Sequence, residues 1–235
     1  MSPGGHEWNA AAADPVAAFL HAERVHLGLP PDEAEREREK YFRISAEGGF
    51  PRAANELGVL LKDRGTPPAL AEAAGWFVRV IEASDDEADA LYFALFNLGT
   101  LLLDGFEAPP PLRARLDNLG WLPCDHCDGG WVSAPELALA VALFFAAAAR
   151  GSQPASCNLG VAHLRGVGGV EQDRPAARVH FERCGTAQGT AVAAQIAEEM
   201  GDDDDAARLY RSAAALGYAR ASALENDAAS RKTEL

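Results

Sequence analysis

Aromatic and basic side chains are scarce in this chain. Only 8% of its 235 residues are Phe, Trp or Tyr, and 21 Lys and Arg residues face 35 Asp and Glu residues, for a formal net charge of -14. Because phosphate backbones and anionic lipids bind to clustered cationic side chains, this balance argues against nucleic acid and membrane surfaces as partners. The most apolar stretch, residues 137–149, is shorter than the roughly 20 residues that span a bilayer, so we expect no transmembrane helix.

Cysteine is also rare, and the first residues contain no recognisable targeting signal. The chain has four cysteines, and residues 1–14 lack a basic segment followed by an apolar one. We therefore expect a soluble protein without a secretory signal.

Alanine, by contrast, is abundant wherever the chain is apolar. Because alanine favours helices and β-branched residues are few, the composition predicts an all-α protein. The predicted helices lie at about 13–28, 32–47, 52–64, 69–83, 87–104, 135–149, 154–165, 173–184, 188–200, 203–216 and 218–228.

A short pattern recurs around three Leu-Gly pairs, at residues 57–58, 98–99 and 159–160. In the first and third copies another glycine, Gly49 or Gly151, stands nine residues before the glycine of the pair. Between the copies lie amphipathic segments that carry a pair of bulky, mostly aromatic residues. These fixed offsets predict antiparallel helix pairs, and since one pair cannot bury its apolar face alone, the pairs should stack into an α-solenoid.

Glycines and acidic residues mark the predicted helix ends. Gly65, Gly105 and Gly166 are expected to end the first helices of three pairs in the left-handed conformation. Asp32 is expected to cap the helix that follows two prolines, and the run 202–205 to cap another. The acidic run between Glu33 and Glu39 is interpreted as a solvated helix face.

The period breaks once. The glycines of the first two Leu-Gly pairs are 41 residues apart and those of the next two are 61 apart, which places an irregular insertion at residues 106–133. The predicted organisation is then an N-terminal arm with a leading helix (1–30), a solenoid (31–228) interrupted by the 106–133 loop insertion, and a flexible tail (229–235).

The pattern resembles the Sel1-like repeat (SLR) family, a group of α-solenoids related to tetratricopeptide repeats. The best copy runs from Ala147 through Asn158-Leu159-Gly160 and Gly166 to Phe181, and the resemblance covers about residues 31–224. It implies about four repeats stacked in a right-handed solenoid, with a concave binding face and no catalytic residues. No catalytic motif stands beside it, so we expect a protein that is not an enzyme.

The resemblance also assigns two of the cysteines. In cysteine-rich SLR proteins a disulfide links the two helices of a repeat, and Cys157 and Cys184 occupy the corresponding places. The resemblance therefore implies a disulfide between them. The alternative is two buried free thiols, because cysteine packs well in alanine-like positions.

The predicted insertion contains Cys124-Asp125-His126-Cys127. Cys124, Cys127 and His126 could supply two or three ligands to zinc, and a closed site would need a further ligand from Cys157, His163, His180 or Cys184. The same pair of cysteines could instead be a redox dithiol, a local disulfide or two ordinary thiols. His180 occupies the place of a packed aromatic residue, which favours a core histidine over a ligand. Zinc is therefore the one cofactor to be considered, and otherwise none is expected.

The sequence favours a scaffold or adaptor that binds proteins as an accessory or assembly subunit of a larger complex. Exposed tryptophan is a typical anchor in such contacts, although the same rings could fold back and be buried. The candidates for partner binding are Trp8, Leu119, Trp121, Leu122 and Trp131. The alternative is a redox- or metal-handling assembly factor of the mitochondrial intermembrane space that uses Cys124 and Cys127. Since a cysteine-bearing SLR protein works in that compartment, the expected location is there or in the cytoplasm.

Overall fold

The computed structural model describes residues 14–25, 29–83, 89–118 and 135–221. Every regular element in these ranges is an α-helix. The helices are α1 (Pro15–Arg24), α2 (Pro31–Glu47), α3 (Pro51–Arg64), α4 (Pro67–Ala83), α5 (Asp89–Leu103), α6 (Pro110–Asn118), α7 (Pro135–Ala149), α8 (Gln153–Arg165), α9 (Arg174–Cys184), α10 (Ala187–Glu199) and α11 (Asp203–Ala215).

The chain forms two compact units, residues 1–120 and residues 121–235. In the first unit each of the helices α1 to α5 packs against the next, α3 also contacts α5, and α6 contacts α4. In the second unit α7 to α11 follow the same sequential order. This pairwise packing confirms the predicted all-α solenoid class, while the right-handed sense of the stacking stays a prediction. Within the described ranges no helix is both long enough and apolar enough to cross a bilayer.

Glycine ends several of the helices as the sequence predicts. Gly65 follows α3 with φ 69°, Gly166 follows α8 with φ 65°, and Gly105 lies after α5 with φ 87°. At these left-handed angles any residue with a Cβ would be strained, which explains why glycine recurs at this place in the repeat.

The two predicted acidic caps have different outcomes. The side chain of Asp202 accepts a hydrogen bond from the backbone N–H of Asp205 at 3.3 Å, so this residue caps α11 as predicted. Asp32 does not cap α2, because the helix begins one residue earlier, at Pro31, with Pro30 in the cap position and no side-chain hydrogen bond. Proline has no N–H to satisfy in the first turn, so the helix starts without a polar cap, and Asp32 lies inside the turn.

The predicted insertion is not a loop throughout. Its first part, Pro110–Asn118, is the helix α6, which begins within the proline run 109–111. Proline is compatible with the first turn of a helix, and Leu112 is buried. Arg115 then fixes α6 to α4 through two hydrogen bonds to Glu82, at 3.1 and 2.6 Å. Residues 119–134 lie outside the described residues, as do most of the predicted last helix and the predicted tail.

The Leu-Gly glycines are places of close approach between the helices of a pair. A Cβ built on Gly58 would lie 2.5 Å from the ring of Phe77, and one built on Gly160 would lie 2.9 Å from the ring of Phe181. Both rings are buried. The glycine of the first helix and the aromatic residue of the second therefore form one packing unit that repeats along the chain.

Candidate functional site

The structure describes only part of the predicted site residues. Cys157, Cys184, His163 and His180 lie in the second unit and are described. The remaining predicted residues lie outside the described residues, and their roles stay predictions. They are Trp8, Leu119, Trp121, Leu122, Cys124, His126, Cys127 and Trp131.

Cys157 and Cys184 are joined by a disulfide, as the resemblance implied. Cys157 lies on α8 and Cys184 is the last residue of α9, and their Cα atoms are 4.9 Å apart. The Cys184 sulfur is also 3.1 Å from the Thr186 hydroxyl, and Cys184 is almost fully buried. While this bond is intact neither sulfur can act as a thiolate ligand, so two of the four residues considered for completing a zinc site are excluded.

The other two, His163 and His180, form an aromatic cluster with Phe145. The imidazole rings lie parallel, with 5.3 Å between their centroids, and each stands nearly perpendicular to Phe145 at 5.9 Å. The Nδ1 atoms of both histidines are buried and have no hydrogen-bond partner. Among the described residues no group of three His, Cys, Asp or Glu side chains is arranged to hold a metal ion. The histidine pair thus connects α7, α8 and α9 by packing.

This cluster predicts a pH dependence of stability. Burial lowers the pKa of His180, and the nearby His163 and Arg183 lower it further. Because the imidazole of His180 binds a proton more readily in the unfolded chain than in the folded one, protonation favours unfolding. The free energy of unfolding is therefore highest above a pH of about 6.5 and falls as the pH drops below that value. Urea unfolding between pH 7.5 and pH 5 should therefore show a steeper loss of stability for the natural chain than for His180→Gln. Equal slopes in the two proteins would contradict this role of His180.

The first unit contains a groove between the beginning of α2 and the end of α3, with a volume of about 610 Å³. Its walls are formed by one face of α2, by the last turns of α3 and by Leu29, which lies two residues before α2. The lining residues are Leu29, Pro31, Ala34, Glu35, Arg38, Leu60, Asp63 and Arg64. We refer to these eight residues as the α2–α3 groove.

An ion-pair network runs beside this groove and links three helices. Arg43 on α2 pairs with Glu72 on α4 and, at 3.0 Å, with Glu39, which accepts a second bond from Arg64 on α3 at 2.8 Å. Trp76 donates its indole N–H to Glu72 at 3.2 Å. The hydrogen bond from Arg64 holds the pKa of Glu39 below its usual value, and the bond from Arg43 does the same for Glu72. These charges link α2, α3 and α4.

Two charged residues of the groove form no ion pair within the described residues. Arg38 lies over the ring of Phe42, 5.5 Å from its centroid, and its buried Nε has no hydrogen-bond partner. The nearby carboxyl of Glu56 is partly buried, which raises its pKa, and Glu23 raises it further, whereas Arg52 and Arg38 lower it. Asp63, on the opposite wall, forms no ion pair or side-chain hydrogen bond within the described residues. The groove thus offers one cation and one anion to a ligand.

The sequence did not predict this groove. The acidic run on α2 was interpreted as a solvated face, but Glu39 is partly buried and pairs with two arginines of different helices. A partial signal was present, since Ala34, Glu35 and Arg38 have the spacing of one helix face. The groove also requires the residues of α3, and only the folded chain brings them there.

Comparison with known proteins identifies the repeats. The family model "Sel1 repeat" matches residues 51–85, 153–183 and 199–218, which include the helix pair α3–α4 and all but the last residue of the pair α8–α9. The chain contains Sel1 repeats in these three places. The SLR resemblance of the sequence is therefore confirmed at three places, one of which contains Cys157 and ends one residue before Cys184.

Solved structures show the same fold. One is c5321, a protective antigen of uropathogenic Escherichia coli strains that displays an SLR fold, with a TM-score of 0.66 and 21% identity over 94% of this chain and 43% of that chain. Another is a Sel1 repeat protein from Oxalobacter formigenes, with a TM-score of 0.60 and 19% identity over 94% of this chain and 78% of that chain. The chain spans less than half the length of the antigen, and at such identities the likeness concerns the fold. No curated protein matches its sequence.

Proposed function

We propose that this Sel1-repeat protein is a non-enzymatic scaffold that binds other proteins and serves as an accessory or assembly subunit of a larger complex. Sel1-repeat proteins generally mediate protein–protein interaction, and the repeat match at three places within stacked helices is the observation that carries the proposal. The formal net charge of -14 favours protein partners over polyanions.

The proposed anchors are the side chains that the repeat pattern does not use. Trp121 and Trp131 stand in the part of the insertion that follows α6, and Trp8 precedes the leading helix. An anchoring tryptophan at the centre of an interface contributes about 2 kcal/mol or more, which corresponds to roughly a 30-fold change in affinity.

The proposal is tested by purifying the tagged protein from its native source under gentle conditions and quantifying what accompanies it. We expect at least one protein in near-equal amount, and we expect Trp121→Ala or Trp131→Ala to reduce its recovery more than tenfold. Glu171→Gln, an exposed change outside the insertion, is the matched control and should leave recovery unchanged. Recovery of the chain without any stoichiometric partner would contradict the proposal.

A redox- or metal-handling assembly factor that uses Cys124 and Cys127 is the second candidate. The Cys157–Cys184 disulfide favours it, because such bonds persist in oxidising compartments, of which the mitochondrial intermembrane space is one. Protein isolated with its thiols alkylated at once should then contain the disulfide, together with either stoichiometric zinc or copper or a second disulfide at Cys124 and Cys127. Four alkylated cysteines without metal would contradict this candidate and leave the scaffold proposal intact.

A further inference from the structure

The α2–α3 groove has the features of a binding site that the repeat itself does not require. We propose that it binds an extended peptide segment of a partner protein, with a carboxylate of the peptide on Arg38 and an aliphatic side chain against Leu29 and Leu60. This inference rests on the proposed scaffold function and names the site and the chemistry of the bound segment.

The size and lining of the groove suit such a segment. Its volume of about 610 Å³ lies within the range of about 300–1,000 Å³ that is typical of ligand sites. Leu29 is 38% exposed and Leu60 is partly exposed, while Ala34 forms a buried part of the wall. Covering the two leucines would remove apolar surface from water, which favours binding of an aliphatic side chain.

Arg38 supplies the specific contact. Its Nε is shielded from solvent without a hydrogen-bond partner, and the ring of Phe42 lies beneath the guanidinium. A guanidinium forms two parallel hydrogen bonds with a carboxylate. Arg38 is only partly buried, so a carboxylate in the groove can pair with the accessible part of its guanidinium, and the packing on Phe42 reduces the entropy that this contact costs.

The other charged residues of the groove indicate which charged side chains the peptide has. Glu35 and Arg64 pair with each other at 3.4 Å, and Arg64 also pairs with Glu39, so these side chains are already neutralised. Within the described residues Arg38 interacts with the charge of Glu56 but forms no ion pair, and Asp63 forms none, so both remain for a ligand. With two acids and two bases in the lining, the groove has no net positive charge that would attract a polyanion. A peptide that carries an acidic residue, an aliphatic residue and a basic residue matches both walls.

The test uses the full chain and a phage-displayed library of random twelve-residue peptides. We expect the selected peptides to share an Asp or Glu close to Leu, Ile or Val. The most enriched peptide, synthesised with a fluorescent label, should bind about tenfold more weakly to Arg38→Gln than to the natural chain. Arg36→Gln removes the same charge from an exposed residue of α2 outside the groove, and it should bind as the natural chain does.

Two further measurements separate binding from folding. The labelled peptide with its acid changed to the amide should bind the natural chain about tenfold more weakly. Since the protein is unchanged in this experiment, no folding defect can explain the loss of affinity. Arg38→Glu should bind better to a peptide in which Lys replaces the acid than to the original peptide, and circular dichroism should show unchanged helix content in each variant.

The outcomes distinguish this proposal from the scaffold function. Peptides without a shared acid, or equal binding to Arg38→Gln and the natural chain, would overturn the groove as the site. If the native partner is recovered equally well by Arg38→Gln, the groove proposal fails and the scaffold function stands. The absence of both enriched peptides and a native partner would overturn both.

Discussion

Removing the Cys157–Cys184 disulfide is expected to lower the free energy of unfolding by about 3 kcal/mol. The bond connects residues 27 apart in the sequence and links α8 to α9, so cutting it restores the freedom of that loop in the unfolded chain. Urea unfolding of Cys157→Ala/Cys184→Ala beside the oxidised natural chain measures the difference.

Reductant provides the control for this prediction. Dithiothreitol should destabilise the natural chain by a similar amount and should have little effect on the double variant, whose remaining cysteines are Cys124 and Cys127. If the reductant destabilises both proteins equally, the stabilisation does not come from the bond between α8 and α9. If the double variant unfolds at the same urea concentration as the natural chain, the prediction is wrong.

Replacing the glycine of a Leu-Gly pair with alanine is expected to lower the free energy of unfolding substantially. Gly58→Ala would place a Cβ 2.5 Å from the ring of Phe77, and Gly160→Ala would place one 2.9 Å from the ring of Phe181. Overpacking of this kind typically costs about 1–3 kcal/mol, because the ring must move within a closely packed core. Thermal or urea unfolding of the two variants should show this loss.

Gly75 on α4 offers a matched control. A Cβ built there meets no atom within 4 Å, so Gly75→Ala should stabilise the chain by about 0.5–1 kcal/mol through helix propensity alone. In Gly58→Ala/Phe77→Leu the smaller side chain makes room for the methyl group, and the double variant should lose less than the two single losses combined. If Gly58→Ala stabilises the chain as Gly75→Ala does, the glycine at position 58 is not required for the close approach of the two helices.

Much of the fold was predictable because the repeat encodes it locally. The glycine offsets located the helix pairs, and Gly65 and Gly166 ended their helices because few other residues adopt the required angles. The helix α6 was missed for a local reason as well. A run of prolines usually indicates irregular chain. The burial of Leu112 and the bond from Arg115 to Glu82, which stabilise this helix, are contacts with other parts of the fold.

The candidate sites were less predictable because they depend on residues far apart in the sequence. Arg43 and Glu72 lie 29 positions apart, and no local pattern pairs them. The stacking of His163 on His180 likewise depends on how α8 lies against α9. The pairing of Cys157 with Cys184 was accessible only through the resemblance to cysteine-rich SLR proteins, since spacing alone also allowed two free thiols.

The mass of the native particle tests the central claim most directly. The chain alone has a mass of 24.9 kDa. Light scattering on protein released gently from its native source, at its natural concentration, should give a particle that is larger by the mass of at least one other protein. A single species of about 25 kDa would contradict the view that this Sel1-repeat protein works as a subunit of a larger assembly.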